Sequence, residues 1–323
     1  MAVSDPGEMD EFLAAHGREI AAARSRLAGQ VRRTPLLETD LGLVKPECLQ
    51  VTGSFKARGA LNAVLQITSG GDPPAGVATA SSGNHGQAIA WAAARVGLPV
   101  VVVMAADSVP VKVAAVGRLG AEVVSDGVTM ANREEVLAEV VARTGFRRVH
   151  PFDDWDVIHG QATMAAEVVE DLPDVETVVV PVGGGGLISG TALAAKAHSR
   201  AVRIVGVEPA AADDATRSWR TGHRVEQVAG PTLADGVRAA AVGSRPYEVM
   251  FERGLVDEMV TVEEDELAAA TRTAWFDLRL LVEPTGALTL AAVLAGRVPG
   301  SPRTVIVLSG GNLEPALLGR LAV

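Results

Sequence analysis

Short, unbroken apolar runs alternate along this chain with longer alanine-rich runs. PVVVVMAA (99–106), TVVVPV (177–182), RIVGVE (203–208) and TVIVLSGG (304–311) contain few polar positions. Runs of that length, rich in β-branched valine, predict strands buried on both faces. Between them the pattern changes to a helical period, and helices are expected over 85–96, 111–119, 133–144, 161–172, 187–199 and 263–281. Strands alternating with helices imply an α/β fold whose mainly parallel sheets are covered on both sides by helices. A chain of 323 residues exceeds one small core and suggests two lobes. No repeat of fixed period is present. SGGDPP (69–74) and HPFDD (150–154) read as crossings between the lobes. In open α/β sheets ligands bind beyond the carboxyl ends of the strands, and the polar and glycine-rich motifs of this chain stand there.

Composition removes several function classes. The formal net charge is −10, which argues against a general nucleic-acid binder. A single cysteine, Cys48, leaves no intrachain disulfide framework and suits a reducing compartment, so a cytoplasmic setting is expected. MAVSDPGEMDEF lacks a secretory pattern, and no apolar stretch approaches about 20 residues, so neither a leader nor a membrane span is expected.

Two motifs carry chemistry. PVGGGGLISG (181–190) follows an expected strand and opens an expected helix. Consecutive glycines turn backbone N–H groups toward one point, and the helix adds its positive end, which makes an anion site. A P-loop needs Gly-Lys-Ser/Thr after its glycines, but Gly186 is followed by Leu187. A dinucleotide fingerprint fits less well than a lone phosphate, because Ser189 holds the third glycine position. A plain tight turn would not require four glycines. The second motif is VTGSFKARGA (51–60). Of 29 basic residues only Lys45, Lys56, Lys112 and Lys196 are lysine. Lys56, between Phe55 and Ala57, offers what an arginine does not: a primary amine able to form an imine. A surface lysine on a helix is the competing reading. A phosphate loop with an imine lysine points to pyridoxal phosphate (PLP).

LQVTGSFKARGA, ASSGNHGQAIA, PVGGGGLISG, VEPAAADD and VIVLSGGN, in this order from about Arg33 to Asn312, resemble the fold-type II PLP enzymes with the tryptophan synthase β-like fold. The nearest group is the serine/threonine dehydratases (ammonia-lyases) and serine racemases. The resemblance implies a large PLP-binding domain from residues 1–68 and 151–323 and a small mobile domain from 69–150. It implies that Lys56, beside Phe55, holds the cofactor and moves the α-proton, and that amides of Gly183, Gly184, Gly185, Gly186 and Leu187 hold the phosphate. Asn84 would face the ring 3′-oxygen, and Ser309 the ring nitrogen. A neutral serine there makes a weaker electron sink than a carboxylate, which suits β-elimination. The loop Ser81, Ser82, Gly83, Asn84, His85 would receive the substrate carboxylate, with a plain helix cap as its competing reading. Ser82 matches the second acid/base of racemases, and Arg133 a pocket arginine of the same group.

Glu208 and Asp214, with the carbonyl of Ala212, match a divalent-metal site, Mg²⁺ first and Mn²⁺ or Ca²⁺ next. Acids at a helix start are the alternative reading. His159, Ala162 and Leu119 depart from the family pattern, and His159 is expected either in the pocket wall or facing solvent. The implied activity is dehydration of L-serine or L-threonine to a 2-oxo acid and ammonia, with serine racemase and threo-3-hydroxyaspartate dehydratase as alternatives. A PLP-binding protein without turnover is the non-enzymatic rival. The implied partner is a small amino-acid substrate, in a homodimer.

Overall fold

The computed structural model describes residues 6–71 and 73–321. Its helices are α1 (Pro6–Leu27), α2 (Lys56–Ser69), α3 (Asn84–Val96), α4 (Pro110–Arg118), α5 (Arg133–Thr144), α6 (Trp155–Asp171), α7 (Gly186–His198), α8 (Asp214–Thr221), α9 (Ser244–Tyr247), α10 (Glu264–Phe276), α11 (Pro284–Leu294) and α12 (Pro315–Leu321). Its strands are β1 (Leu37–Thr39), β2 (Gly42–Pro46), β3 (Val77–Ala80), β4 (Val100–Val103), β5 (Glu122–Val124), β6 (Arg147–Arg148), β7 (Thr177–Pro181), β8 (Arg203–Pro209), β9 (Glu258–Val262) and β10 (Thr304–Leu308). The crossing tract at 69–74 includes Asp72, and the N-terminal stretch its first five residues, which lie outside the described residues.

Two sheets frame the described chain. One is six-stranded in the order β1-β2-β10-β7-β8-β9, the other four-stranded in the order β5-β4-β3-β6. Among the described strands of the two sheets only the β1–β2 pairing is antiparallel. The apolar runs become strands because both of their faces are covered. Along β10, Val305 and Val307 point into a core with α6 and α7, while Ile306 and Leu308 point into a core with α10 and α11. Val178 and Val179 of β7 divide the same way. Side chains alternate across a strand, so a strand between two helical layers must be apolar at every position. In the smaller sheet, Val77 and Val102 face Leu61, Val64, Ile89 and Ala92 of α2 and α3. No helix among the described residues is long and apolar enough to cross a membrane.

Several elements differ from expectation at their ends. The helix expected over 161–172 begins at Trp155, because the Asp154 carboxylate accepts from the N–H groups of Asp156 (2.9 Å) and Val157 (3.4 Å) and caps it. The helix expected over 263–281 stops at Phe276. Arg279 then adopts φ 58°, and the chain turns back so that Trp275 Nε1 donates to the carbonyl of Val282 at 2.7 Å. The strand expected to reach Gly311 ends at Leu308, where the backbone leaves the sheet to pair with the Lys56 segment. The pattern missed α1, α2, α8, α9, α11 and α12 and the strands β1, β2, β3, β5, β6 and β9; in VATA (β3) alanine and valine fit either element.

Candidate active site

Lys56 is the first residue of α2, and the loop before it is fixed by the chain that follows β10. Phe55 N–H donates to the Ser309 carbonyl at 3.0 Å, Ser54 bridges to Gly310, and Gly311 N–H donates to the Gly53 carbonyl at 2.8 Å. Gly53 has φ +75°, and a Cβ there would lie 2.5 Å from Asn312 Oδ1, so glycine is required twice over. The other end of the anchor is ionic. Arg58 is wholly buried, bonded to Glu47 through Nε (2.8 Å) and to Glu167 through Nη1 (2.6 Å). Buried Lys45 joins Glu167 at 2.8 Å and the Thr34 carbonyl at 2.7 Å, while Thr34 Oγ1 donates to Glu47 at 2.6 Å. Two cations meet two carboxylates. Burial alone would raise Glu47, but the Arg58 guanidinium, with the Thr34 hydroxyl and the Lys45 charge, outweighs this and holds its carboxyl low.

Among the described residues the Lys56 amine has no carboxylate partner. Nζ donates to the Pro151 carbonyl at 2.8 Å and lies 5.1 Å from the Phe55 ring centre. Burial lowers its pKa to about 8, because losing water disfavours the charged form. The amine therefore stands partly neutral near physiological pH, as a nucleophile must.

Around Lys56 opens a cavity of about 370 Å³. It lies beyond the ends of β3, β4, β7 and β10, and so gathers the polar loops of both sheets. From β7 come Gly183–Leu187. Gly185 has φ +87° and starts α7 with no capping side chain. The glycines are demanded by their neighbours: a Cβ on Gly184 would run into the Phe152 ring, and one on Gly183 would meet Val237 Cα at 3.0 Å. The unfilled face of this turn is the cavity, toward which an uncapped helix start presents its dipole. The donor set fits a phosphate.

From β3 come Ser81, Ser82, Gly83, Asn84 and His85, leading into α3, again without a side-chain cap. His85 is buried, and burial drives its pKa well down, so the ring is neutral; Nε2 faces the Val149 carbonyl at 3.5 Å. Asn84 is held at both ends of its amide: Nδ2 donates to Glu283 at 2.6 Å, and Oδ1 accepts from Asn312 Nδ2 at 2.7 Å. Burial, then the nearby Asp235 charge, raises Glu283 to about 7. Ser309, buried, lines the same cavity at the end of β10. Arg133, at the start of α5, reaches the rim with Nη1 3.5 Å from Met130 Sδ.

The acids expected to hold a metal lie elsewhere. Glu208 stands near the end of β8 outside the cavity lining and acts as a cap for α8. Its carboxylate accepts from Ala215 N–H (3.1 Å), Thr216 N–H (2.7 Å) and Thr216 Oγ1 (2.7 Å). Asp214 is buried, and among the described residues neither carboxylate oxygen has a partner at good hydrogen-bond geometry. Burial raises both groups, and the Asp214 charge adds to the rise on Glu208. Among the described residues no cluster of three or more His, Cys, Asp or Glu side chains gathers there. His159 fits neither expected place. It is buried away from the cavity, its Nε2 2.8 Å from His16 Nδ1 of α1, and it stacks on Trp155. Sequence reasoning missed Glu283, Asn312, Pro151, Phe152, Ser108, Lys112 and Asp235. Asn312 closes the quoted VIVLSGGN, whereas only the fold brings Glu283 and Pro151 to the site.

A partly neutral lysine facing an uncapped glycine turn, both at strand ends of a two-sheet α/β frame, defines a PLP-binding enzyme of fold-type II. The comparisons agree. The family model of pyridoxal-phosphate dependent enzymes matches residues 27–310. A serine racemase of Arabidopsis thaliana is 40% identical over 318 residues, covering 94% of this chain and 95% of that protein. An L-threonine ammonia-lyase of Geobacter sulfurreducens is 42% identical over 304 residues, covering 91% of this chain and 75% of its own. The crystal structure of the T.th. threonine deaminase superposes with a TM-score of 0.86 at 43% identity, covering 92% of this chain and 98% of that one. The chain belongs to the pyridoxal-phosphate-dependent enzyme family.

Proposed function

We propose that this enzyme is a dehydratase that converts a small 3-hydroxy amino acid, L-serine or L-threonine, to a 2-oxo acid and ammonia. The observation that carries the reading is the neutral Ser309 in the cavity wall beside a Lys56 amine that has no carboxylate partner. When bound, the cofactor supplies the electron sink that makes the substrate α-proton removable. The turn Gly183–Leu187 would hold its phosphate, Phe55 and Asn84 would contact it, and Ser309, being neutral, would give the ring nitrogen no counter-charge. That weaker sink favours early loss of the β-hydroxyl over transamination. Lys56, in its neutral form, accepts the α-proton. The uncapped start of α3 at Ser81–His85 binds the substrate carboxylate, and Arg133 closes the rim. Relatives of both reaction types support the chemistry at the α-carbon, and the ammonia-lyases support elimination.

Serine racemisation is the second reading, favoured by Ser82 in the cavity and by the racemase relatives. A threo-3-hydroxyaspartate dehydratase would need Arg133 for the second carboxylate. We assign the divalent cation, Mg²⁺ before Mn²⁺ or Ca²⁺, to Asp214, Glu208 and the Ala212 carbonyl. The orphaned Asp214 oxygens fit a hard cation, and Glu208 would have to share its capping role. The domain division at 1–68 with 151–323 and at 69–150, a homodimer and a cytoplasmic setting belong to the same reading.

The test is direct. Purified protein should show the visible absorbance of a lysine-bound cofactor and release a 2-oxo acid from L-serine or L-threonine. Lys56→Ala should lose the band and turnover together. A bound cofactor with no 2-oxo acid from serine, threonine or hydroxyaspartate would sink the dehydratase.

A further inference from the structure

Ser82 stands between β3 and α3, Ser108 between β4 and α4, and both line the cavity. They meet there: Ser108 Oγ lies 2.7 Å from Ser82 Oγ. The Ser82 oxygen also accepts from the Ala105 N–H at 3.1 Å, and Ser108 Oγ lies 2.5 Å from the Ala105 carbonyl oxygen. A hydroxyl has one proton to give. Ser108 therefore has two acceptors within reach, the Ala105 carbonyl and the Ser82 oxygen, and its one proton can turn to either. While Ser82 keeps its own proton, either orientation satisfies the pair. Once Ser82 gives that proton away, one orientation wins. The Ser108 proton turns to the Ser82 oxygen and joins the Ala105 N–H, so two donors converge on one negative charge. Of the cations that line the cavity, Lys56, Lys112, Arg133 and Arg238, Lys112 pairs with Asp235, Arg133 lies against Met130 and Lys56 donates to the Pro151 carbonyl.

We infer that Ser108 is a positioning residue for Ser82, a rotatable donor that stabilises the Ser82 alkoxide and so sets how much racemisation accompanies elimination. The inference rests on the second reading above, in which Ser82 exchanges a proton with the α-carbon. The step balances within the protein and solvent. Lys56 takes the α-proton from one face. The Ser82 O–H bond breaks as a new Cα–H bond forms on the other face. A proton then passes from the Lys56 ammonium through solvent to the Ser82 oxygen. Elimination from L-serine draws on Lys56 alone for the α-proton, so the ratio of the two reactions reports on Ser108.

A purely structural role is the rival. Ser108 N–H donates to the Ala105 carbonyl at 2.9 Å, closing the turn before α4. Loss of a turn would slow both reactions together and lower the melting temperature.

The experiment uses the holoenzyme with L-serine and follows D-serine by chiral chromatography beside total 2-oxo acid. Parent, Ser108→Ala, Ser108→Thr and Ser82→Ala are compared, with visible absorbance and melting temperature recorded for each. Losing one hydrogen bond to a charged oxygen should lower the racemisation-to-elimination ratio about tenfold in Ser108→Ala. Ser108→Thr, which keeps the hydroxyl, should restore it to within about twofold. Absorbance and melting temperature should match the parent. An unchanged ratio in Ser108→Ala, or an equal fall in both reactions with a lower melting temperature, overturns the inference. D-serine still formed by Ser82→Ala, or none formed by the parent, removes the acid–base role of Ser82 and the inference with it. The dehydratase reading is judged separately, by 2-oxo acid release from the parent.

Discussion

Lys56 and Arg58 sit two residues apart at the start of α2, yet their surroundings are opposite. Arg58 is buried among two carboxylates that take its guanidinium fork from two sides. Lys56 has a single carbonyl. One region is electrostatically complete and the other is left open toward a cavity. The difference shows how a reactive group is kept reactive. A buried charge without a partner is costly, and the amine responds by becoming partly neutral. That response is useful only if the backbone carrying it cannot relax, and the paired cluster two residues on provides the rigidity.

The largest expected effect breaks the complete side. Arg58→Ala would leave Glu47 and Glu167 facing Lys45 alone. Removing one partner of a buried ion network costs about 3–5 kcal/mol. Urea unfolding should show a loss of that size, and cofactor affinity should fall with it. A loss under about 1 kcal/mol would mean that the cluster does not anchor α2.

A neutral pair allows a second comparison. Burial, then the neighbouring His16, lowers His159 to about 4. In the unfolded chain histidine binds its proton near pH ~6.5. Between those values the unfolded state holds more protons, so the contribution of His159 is full above pH ~6.5 and falls as pH drops toward ~4. The loss by pH ~4 should reach roughly 3 kcal/mol. His159→Ala should flatten that slope in unfolding curves measured from about pH 7 to 4. An unchanged slope would assign the acid sensitivity to other sites. The raised carboxyl groups are not among them, because they favour the folded state as pH falls.

The smallest effect sharpens the open side. The neutral amine of Lys56 is its reactive form. With a pKa of about 8, its neutral fraction rises about tenfold between about pH 7 and 9 and then levels off. Cofactor uptake by the apo-protein, followed by absorbance, should trace that curve. A rate still climbing above about pH 10 would show an ordinary, solvated lysine.

Much of the site was legible along the chain, because its parts are local. The four glycines before Leu187, the lysine in a chain that prefers arginine, and the serine after the β10 run are each unusual where they stand. The two-sided strands were legible too, since Val305–Leu308 has no polar position to spare. What stayed hidden depends on distant partners. Glu283 looks like an acid before a proline, yet it holds Asn84, 199 residues away. Glu208 matched a metal ligand and proved also to cap α8. His159 looked like a departure in the pocket wall and became the partner of His16. Ser108 carried no signal until the turn after β4 placed it beside Ser82.

The sequence by itself determined the α/β class and marked out the glycine turn and the lysine that the fold brings to one cavity, because glycine conformation, helix starts and valine runs are properties of neighbours in the chain. Only the tertiary structure decided which side chain touches which. Long-range pairings, such as Lys45 with Glu167 and Asn84 with Glu283, follow from which elements the folded chain sets side by side. The pKa of each group follows from them in turn, because desolvation and charge are set by what surrounds a residue after folding.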